Sequence, residues 1–333
     1  MFDNKEILIT GGTGSFGSNF VKFLLSNFNP KRLIIFSRDE LKQFELEQEL
    51  LEHSKFKCLR FFLGDVRDKE RLEVAMRGVE YVIHSAAIKQ VVASEYNPME
   101  CIKTNIYGAE NVISASIKNE VKKVIALSTD KAESPVNLYG ATKLVSDKLF
   151  VAANNLVRND KTKFAIVRYG NVAGSRGSIV PVFQKLIEEG SDALPITDPD
   201  MTRFWITLDE GINLVAQSFE RMIGGEIFVP KIPSIRITDL ASAMAPHCKH
   251  KLIGVRPGEK IHEVLCGKEN AHLTIEFDDH YVITPSIKFS DDKYFLKNAK
   301  GETGEYVEKN FEYSSGNNER FLSQKEILEY NKK

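Results

Sequence analysis

The stretch LSTDKAESPVNLYGATK, residues 127–143, gathers several side chains that could carry out chemistry at one place. Tyr139 and Lys143 are four residues apart, so on a helix they share one face. A phenol titrates at about pH 10, and a nearby ammonium and a cationic cofactor would favour its phenolate. The phenolate can then take a proton from a substrate hydroxyl as hydride leaves, and Thr129 can hydrogen-bond the same hydroxyl. The alternative is an ordinary helix pair.

Asp130 and Lys131, an acid beside a base, follow the strand-like run KKVIALST and would lie at the edge of a sheet. A lysine acts as a base only when it is neutral, so its pKa must fall from about 10.4. We expect Lys143, an oxidised cofactor and desolvation to lower that pKa. A proton held on Asp130 would remove the opposing charge and supply an acid. The alternative is a solvated surface pair.

A glycine-rich turn, ITGGTGSFG at residues 9–17, lies between a strand pattern and a helix pattern. Glycines there permit a tight turn, close approach of the backbone to a pyrophosphate, and close packing of helix on strand. The turn therefore predicts a dinucleotide site, although a purely structural turn is the alternative. The residues expected to line the cofactor here are Gly11, Thr13, Gly14, Ser15, Phe16 and Gly17.

The end of the second strand predicts which dinucleotide is bound. NAD enzymes often place an acid about 20 residues after the glycine motif, where it bonds the ribose 2'-hydroxyl. Here that place holds Ser37 and Arg38, with Lys42 nearby, and a hydroxyl and a guanidinium suit the 2'-phosphate of NADP. The alternative is that Arg38 is a surface charge and Asp39 binds the ribose. Asp65, after the third strand, would accept a bond from the adenine amino group or cap the next helix.

The elements that must position these residues alternate between strand and helix patterns. Strands are expected at EILIT, RLIIF, LRFFLGD, EYVIHSAA, KKVIALST and KFAIVRYGNV, with helix patterns between them. This alternation predicts an α/β fold, a Rossmann-type doubly wound parallel sheet with a smaller C-terminal substrate lobe. We expect residues 1–172, with a returning segment at about 203–230, to form the dinucleotide-binding domain. Residues 173–202 and 231–333 would form the second lobe, in which YVITPSI resembles an isolated strand.

Composition excludes several classes of protein. Of 333 residues, 42% are hydrophobic and 27% charged, and the net charge is −1, which is typical of a globular enzyme and favours neither a nucleic-acid nor a membrane partner. The four cysteines match no disulfide framework, and no apolar run approaches the length of a membrane span. These features predict a soluble cytoplasmic protein. HCKH at residues 247–250 has no matching ligand set, so we expect no metal site.

At this point the motifs resemble known families. TGGTGSFG, Thr129 and YGATK resemble the extended short-chain dehydrogenase/reductase superfamily of nucleotide-sugar enzymes. SRDELK, STDKAESPVNLYGATK, RYGNVAGSRGS, MTRFWI and RPGEK are similar to the inverting UDP-N-acetylglucosamine 4,6-dehydratases, and FEYSSGNN near the end is also similar. The matching motifs span about Ile9 to Glu263. Within that family the chain most resembles the enzymes that begin pseudaminic acid synthesis for flagellin glycosylation.

The resemblance implies a reaction on UDP-N-acetylglucosamine. The sugar is oxidised at C4, loses the C5 proton and then the C6 hydroxyl as water, and regains hydride at C6, so that bound NADP is recycled. Lys131 would be the C5 base and Asp130 would protonate the leaving hydroxyl. Many retaining relatives carry Asp-Glu here, so Lys131 implies inversion at C5, giving UDP-2-acetamido-2,6-dideoxy-β-L-arabino-hex-4-ulose. The resemblance also implies a homo-oligomer, a dimer or a hexamer.

Other functions remain open at this point. An inverting dehydratase for another surface polysaccharide sugar, a UDP-sugar 4-epimerase, and a non-catalytic cofactor sensor of the same fold are the alternatives. An epimerase would not need Asp130 and Lys131, and a sensor should have lost the Tyr139–Lys143 pair.

Further site residues follow from the resemblance. Additional cofactor contacts are expected from Val66, Ser85, Ala86, Lys89 and Val172. Asn105 is as consistent with a structural role as with a functional one. The expected substrate-binding residues are Lys89, Asn171, Arg176, Gly177, Ser178, Pro181, Thr197, Arg203, Arg256 and Glu259.

Overall fold

The structure is a computed structural model that describes residues 1–157, 161–174, 178–287 and 292–332. The strands within these ranges are β1 Glu6–Thr10, β2 Arg32–Ser37, β3 Leu59–Leu63, β4 Tyr81–His84, β5 Lys123–Thr129, β6 Lys163–Tyr169, β7 Asn171–Val172, β8 Ala193–Ile196, β9 Thr202–Ile206, β10 Ile227–Pro230, β11 Ser234–Arg236, β12 Lys249–Leu252, β13 Val264–Cys266, β14 Thr274–Glu276, β15 His280–Ile283, β16 Glu305–Tyr306 and β17 Tyr313–Ser314. The helices are α1 Ser15–Asn27, α2 Glu40–Leu50, α3 Lys69–Ala75, α4 Val91–Tyr96, α5 Pro98–Ile102, α6 Gly108–Lys118, α7 Leu138–Ala153, α8 Ile179–Glu188, α9 Leu208–Arg221, α10 Ile237–Met244 and α11 Gln324–Lys332.

The large sheet is parallel over most of its width. Its strands follow the order β3–β2–β1–β4–β5–β6–β10, and every neighbouring pair in this run is parallel. Strand β1 is buried on both faces, with Ile7, Leu8 and Ile9 at 0% exposure, which explains why its sequence is a continuous apolar run. The predicted doubly wound parallel sheet is confirmed.

Three antiparallel strands extend this sheet beyond β10, in the order β15–β14–β16. The prediction that YVITPSI is an isolated strand is therefore wrong, because β15 pairs with both β10 and β14. A four-residue strand carries no sequence signal of its partners, and pairing it with β10 covers what would otherwise be an open sheet edge. The large sheet thus draws on residues beyond 230.

Helix α9 contacts the large sheet, packing against α1, β5 and β6. Its start is fixed by a capping box, in which Thr207 accepts from the Glu210 N–H and the Glu210 carboxylate accepts from the Thr207 N–H. A separate hydrophobic cluster joins α8, β8, α10 and α11, and Trp205 lies within it at 1% exposure. Trp205 is therefore a core residue in this structure.

Among the helices that the structure describes, none has the length and apolar character that a membrane span requires.

Candidate active site

The glycine-rich turn forms a tight backbone cradle at the start of α1. Gly11 has a φ of +66°, and a Cβ on Gly17 would lie 2.4 Å from the Gly11 carbonyl oxygen. Gly14 is the N-cap of α1 and supplies no side-chain cap, so the amides of the first turn remain available for an anion. Ser15 and Phe16 occupy that first turn. The turn thus has the form that a pyrophosphate needs.

The loop after β4 lies against this cradle. The hydroxyl of Ser85 donates to the Thr10 carbonyl oxygen at 2.7 Å. A Cβ on Gly11 would lie 2.9 Å from the Ala86 nitrogen, so the loop and the turn are in close contact. The Lys89 side chain is exposed, further along the same loop. Ser85 and Ala86 therefore lie beside the glycine cradle, as expected of cofactor residues.

Asn105 holds the loop after β4 against α7. Its Oδ1 accepts from the Ile88 N–H at 2.8 Å, and its Nδ2 donates to the Ile88 carbonyl at 2.9 Å and to Thr142 Oγ1 at 3.0 Å. It lies in a π-helical turn, Lys103–Tyr107, between α5 and α6. Its side chain is 2% exposed, so the contacts found here are structural.

Arg38 and Asp39, the two charged residues that follow β2, have different environments. Thr13 Oγ1 lies 2.8 Å from Ser37 Oγ, which ties the glycine turn to this strand end. Asp39 caps α2, since its carboxylate accepts from the Lys42 N–H at 3.1 Å and pairs with the Lys42 Nζ at 2.9 Å. The Arg38 side chain is 61% exposed, so its guanidinium is accessible to a ligand, while Asp39 is engaged as the cap.

Asp65 does not cap the helix that follows it. That cap is Asp68, whose carboxylate accepts from the Arg71 N–H at 2.9 Å, so the capping alternative for Asp65 is wrong. Burial raises the pKa of Asp65, but its bonds to Arg67 outweigh burial and hold the pKa below its ordinary value. Arg67 lies 2.8 Å from the Asp65 carboxylate and Arg38 lies 3.7 Å from it. Val66, beside it, is 5% exposed.

Helix α7 carries the Tyr-Lys pair. Burial raises the pKa of Tyr139 to about 12, against the opposing effects of the Lys131 charge and a hydrogen bond with Thr129. Burial lowers the pKa of Lys143, which the Asp147 carboxylate partly offsets. Lys131 therefore supplies a nearby ammonium that favours the Tyr139 phenolate in this structure.

Asp130 and Lys131 are not a solvated pair. Asp130 is 0% exposed, and its Oδ1 accepts from Thr129 Oγ1 at 2.9 Å and from Lys131 Nζ at 3.1 Å. Its Oδ2 is buried and has no hydrogen-bond partner among the described residues. Burial raises the pKa of Asp130 in spite of the adjacent ammonium. The carboxyl is therefore suited to carry a proton on the free oxygen.

Lys131 has a second carboxylate partner that sequence reasoning missed. Its Nζ lies 3.1 Å from Glu263 Oε1 as well as 3.1 Å from Asp130 Oδ1. Burial lowers the pKa of Lys131, but these two carboxylates outweigh burial and raise the pKa above its ordinary value. The expectation that this pKa falls is therefore wrong for the ligand-free chain. Of the effects expected to lower this pKa, desolvation is present and is outweighed by the two ion pairs.

Behind this site, a buried network joins the elements that carry it. Arg168 on β6 lies 2.6 Å from Glu133 and 3.1 Å from Asp147, with its side chain 2% exposed. Ser128 on β5 donates to the same Asp147 carboxylate at 2.7 Å. These bonds tie β5, β6, α7 and the turn after Lys131 together. An arginine inside a strand gave no sequence signal of this role, because its partners come from other elements.

Two expected substrate residues present buried polar atoms without partners. Asn171 opens β7, and its Oδ1 has no hydrogen-bond partner among the described residues. Ser178 is the N-cap of α8, and its Oγ is likewise unpartnered within the described ranges. Val172 follows Asn171, and Pro181 lies in the first turn of α8. Such orphaned atoms are what a polar ligand would satisfy. The predictions for Arg176 and Gly177 lie outside the described residues.

The two arginines expected to bind a diphosphate differ in environment. Arg256 is exposed and pairs with Glu259. Arg203 is 8% exposed and its Nη1 donates to the carbonyl oxygens of Thr202 and Ile261 at 2.7 and 3.1 Å. The structure therefore places Arg203 beside Glu263 and near Lys131, while Arg256 is the guanidinium of the two that is accessible to solvent.

Thr197, another expected substrate residue, directly follows β8 and is 8% exposed.

The parallel sheet, the glycine cradle and the Tyr-Lys helix together define an extended short-chain dehydrogenase/reductase. The chain belongs to the polysaccharide biosynthesis protein family, whose model matches residues 7–285. It is 61% identical to the UDP-N-acetylglucosamine 4,6-dehydratase (inverting) of Campylobacter jejuni, over 99% of this chain and 98% of the relative. The resemblance to the inverting dehydratases is thus confirmed.

Two further comparisons widen the family. The UDP-glucose 4-epimerase of Rickettsia canadensis is 43% identical over 90% of this chain and 89% of the relative. The crystal structure of Pen from Bacillus thuringiensis matches with a TM-score of 0.86 and 35% identity, covering 98% of this chain and 96% of that one. The same framework therefore occurs in relatives with different names.

Proposed function

We propose that this protein is an NADP-dependent, C5-inverting UDP-N-acetylglucosamine 4,6-dehydratase. Its product would be UDP-2-acetamido-2,6-dideoxy-β-L-arabino-hex-4-ulose. The observation that carries the proposal is the contact of the buried Asp130 with the half-buried Lys131, 3.1 Å apart, where the Lys131 charge also acts on Tyr139. A dehydratase needs an acid and a base beside the tyrosine that takes the C4 hydroxyl proton, and the 61% identity to the Campylobacter enzyme supports the same assignment.

The residues around the glycine turn fit a dinucleotide. The cradle leaves no space for a Cβ at Gly17, and the first turn of α1 offers amides without a side-chain cap. Arg38, exposed at the end of β2, would hold a 2'-phosphate, while Asp39 is engaged as a helix cap. When bound there, a nicotinamide would supply the hydride chemistry that the reaction needs, oxidation at C4 of the sugar and reduction at C6.

Tyr139 would take the C4 hydroxyl proton. Its phenol is hydrogen-bonded with Thr129, and the residue is half-buried. Because burial raises its pKa to about 12 in the ligand-free chain, the phenol must gain a nearby positive charge to ionise. The charge of Lys131 is already included in that value, so a bound oxidised cofactor would supply the further charge. Thr129 would orient the same hydroxyl.

Asp130 and Lys131 would carry out the elimination. The C4 ketone acidifies the C5 proton, which Lys131 would accept as a neutral amine. A proton carried on the free Oδ2 of Asp130 would pass to the C6 oxygen, which then leaves as a water molecule. Since the ligand-free structure holds Lys131 as an ammonium, it must first release a proton. Inversion then requires that C5 is reprotonated on the face opposite to removal.

Substrate contacts are proposed for the residues near the sheet edge. Asn171 Oδ1 would accept a hydrogen bond from the sugar, Ser178 Oγ would donate one to the sugar or the diphosphate, and Arg256 would pair with the diphosphate. The other residues proposed to contact the substrate are Lys89, Arg176, Gly177, Pro181, Thr197, Arg203 and Glu259.

One rival function is favoured by a specific observation. The Rickettsia relatives are named UDP-glucose 4-epimerases and are 42–43% identical to this chain. A 4-epimerase needs the Tyr139 chemistry but no acid and base at C5 and C6. The buried Asp130–Lys131 contact therefore favours the dehydratase.

Incubation with UDP-N-acetylglucosamine in deuterated water, followed by NMR, tests the proposal. We expect a 6-deoxy-4-keto product with deuterium at C5 and the L-arabino configuration. An unchanged carbon skeleton inverted only at C4 would establish the epimerase instead. Lys131→Ala should abolish deuterium uptake at C5. The control is Lys161→Ala, which removes an exposed lysine paired with Glu120 and should leave uptake unchanged.

We also propose the wider setting of the enzyme. The four cysteines are all free in the structure, which is consistent with a reducing cytoplasm. The product would enter pseudaminic acid synthesis for flagellin glycosylation, and the protein would assemble as a homo-oligomer, a dimer or a hexamer. Enzyme-coupled conversion of the product and light scattering of the purified protein test these two points.

A further inference from the structure

Glu263 faces the catalytic pair from a different part of the chain. It directly precedes β13, its residue exposure is 2%, and its Oε1 lies 3.1 Å from Lys131 Nζ. Asp130 accepts from the same ammonium at 3.1 Å. Lys131 is therefore held between two carboxylates, one next to it in sequence and one brought by the fold.

The backbone of Glu263 is fixed by the C-terminal motif FEYSSGNN. Its N–H donates to Ser315 Oγ at 2.9 Å, and its carbonyl accepts from the Ser315 N–H at 2.8 Å. Ser315 is 0% exposed and also lies 2.7 Å from Thr202 Oγ1. The pairing of β13 with β17 continues this attachment. This motif, which had no assigned role, thus anchors the carboxylate that reaches Lys131.

The surroundings of Glu263 keep it ionised. Burial raises its pKa, but the positive charges of Lys131, Arg203 and Lys260 outweigh burial and lower it. Arg203 Nε lies 3.9 Å from Oε1 and Lys260 Nζ lies 3.8 Å from Oε2. The titratable or charged groups around the Lys131–Glu263 pair are Asp130, Glu133, Tyr139, Arg203, Lys260 and the adjacent His262.

We propose that Glu263 is a positioning residue that holds Lys131 beside Asp130 as an ammonium and so sets the pH at which Lys131 becomes a base. The proposal rests on the dehydratase activity proposed above, in which Lys131 removes the C5 proton. A base must be neutral, so a carboxylate in contact with the ammonium opposes formation of the free amine. Glu263→Gln removes that charge with little change of shape, and Glu263→Asp keeps the charge.

The first test needs no substrate. The intact protein is labelled with acetic anhydride over a range of pH, and each lysine is read by mass spectrometry. In Glu263→Gln the labelling rate of Lys131 should rise at least about tenfold relative to wild type, since each unit of pKa changes the neutral fraction about tenfold. Glu263→Asp should stay closer to wild type, and the exposed Lys161 is the internal standard. An unchanged Lys131 rate in Glu263→Gln overturns the proposal.

A second variant, which should change the labelling rate of Lys131 in the opposite direction, tests the proposal even if Glu263→Gln does not fold. Lys260→Met removes a cation 3.8 Å from Glu263, so the hold on the ammonium should strengthen and labelling of Lys131 should fall. Lys260 also donates to the Glu133 carbonyl at 2.6 Å, so its fold is checked by circular dichroism. A Lys131 rate equal to wild type in folded Lys260→Met likewise contradicts the proposal.

The second test uses activity. The rate of C5 deuterium uptake should rise with pH as Lys131 loses its proton, and in Glu263→Gln this rise should move to lower pH. If wild type is active and the pH profile of Glu263→Gln equals that of wild type, the proposed role of Glu263 is overturned. The dehydratase assignment would then still stand. A wild type that never forms a 4-keto sugar overturns the dehydratase assignment, while a shifted labelling rate would still establish the hold of Glu263 on Lys131.

Discussion

Asn137 connects two parts of the site through one side chain. Its Oδ1 accepts from the Gly140 N–H at 2.7 Å, which caps the helix that carries Tyr139. Its Nδ2 donates to the carbonyl oxygen of Gly258 at 2.7 Å, in the turn that follows Arg256. The start of α7 and the turn that follows the exposed Arg256 are therefore tied together.

Two variants of Asn137 distinguish the helix cap from the bond to Gly258. Asn137→Ala removes both bonds and should lower the free energy of unfolding by about 1–2 kcal/mol, the usual cost of a lost N-cap. Asn137→Asp keeps the cap acceptor but cannot donate to Gly258, so it should retain more stability than the alanine variant. Both should raise KM for the nucleotide sugar. Urea unfolding and steady-state kinetics check this, and an unchanged KM in Asn137→Asp would refute the coupling.

Gly17→Ala should weaken cofactor binding at least about tenfold, a change of about 1.4 kcal/mol. The new Cβ would lie 2.4 Å from the Gly11 oxygen and 2.7 Å from the Gly12 Cα, and both are backbone atoms that must shift. Titration of the purified protein with NADP measures the dissociation constant. A variant that binds NADP as tightly as wild type would show that the cradle does not contact the dinucleotide.

The matched control for that change is Gly211→Ala in α9. A Cβ there finds no contact closer than 4.0 Å, to Tyr169 Cζ. Alanine is favoured over glycine in a helix by up to about 1 kcal/mol, so this variant should be as stable as wild type or slightly more stable. Its affinity for NADP should be unchanged.

Arg38→Ala should change cofactor preference. The loss of a charged hydrogen bond costs about 1.5–3 kcal/mol, so affinity for NADP should fall by at least about tenfold while affinity for NAD changes little. Asp39→Asn is the control, because asparagine caps α2 as well as aspartate does. It should leave the ratio of the two dissociation constants unchanged. A selective loss of NAD binding in Asp39→Asn would instead favour Asp39 as the ribose ligand.

His84 should make the protein sensitive to acid. Burial, followed by the Lys143 charge, lowers the pKa of His84 from 6.5 to about 3, and its Nδ1 lies 2.8 Å from Thr10 Oγ1. Between these two values the unfolded chain binds a proton that the folded chain does not, so stability falls as pH falls below 6.5. From pH 7 to pH 5 this amounts to about 2 kcal/mol.

His84→Gln cannot be protonated and can still bond Thr10. Its free energy of unfolding should therefore fall by about 2 kcal/mol less than that of wild type between pH 7 and pH 5. Urea unfolding at the two pH values measures the difference. Equal losses in the two proteins would mean that His84 does not carry this dependence.

Elements with a strong local pattern were predictable from the sequence. The apolar run EILIT predicts β1, which the structure has at Glu6–Thr10, and the helix pattern from Leu138 predicts α7 at Leu138–Ala153. The glycine spacing likewise predicts the cradle between β1 and α1. These signals are readable because side-chain periodicity and backbone freedom are properties of neighbouring residues.

Contacts between residues that are far apart in the sequence are not indicated by any local pattern. The pairing of β15 with β10 and the attachment of Glu263 to Ser315 depend on how the sheet and the second cluster assemble. The residues involved carry ordinary side chains in short segments. Their neighbours are set only when the chain is folded, because a four-residue strand fits many edges equally well by pattern alone.

The sequence alone establishes which groups are available: an acid and a base directly after β5, and a tyrosine with its lysine on α7. The charge that each group carries depends on the fold. It excludes water from Asp130 and brings Glu263 within 3.1 Å of Lys131, so that the pKa of the lysine is raised where we had expected it to fall. A pKa depends on burial and on distances to other charges, and both are fixed only by the fold.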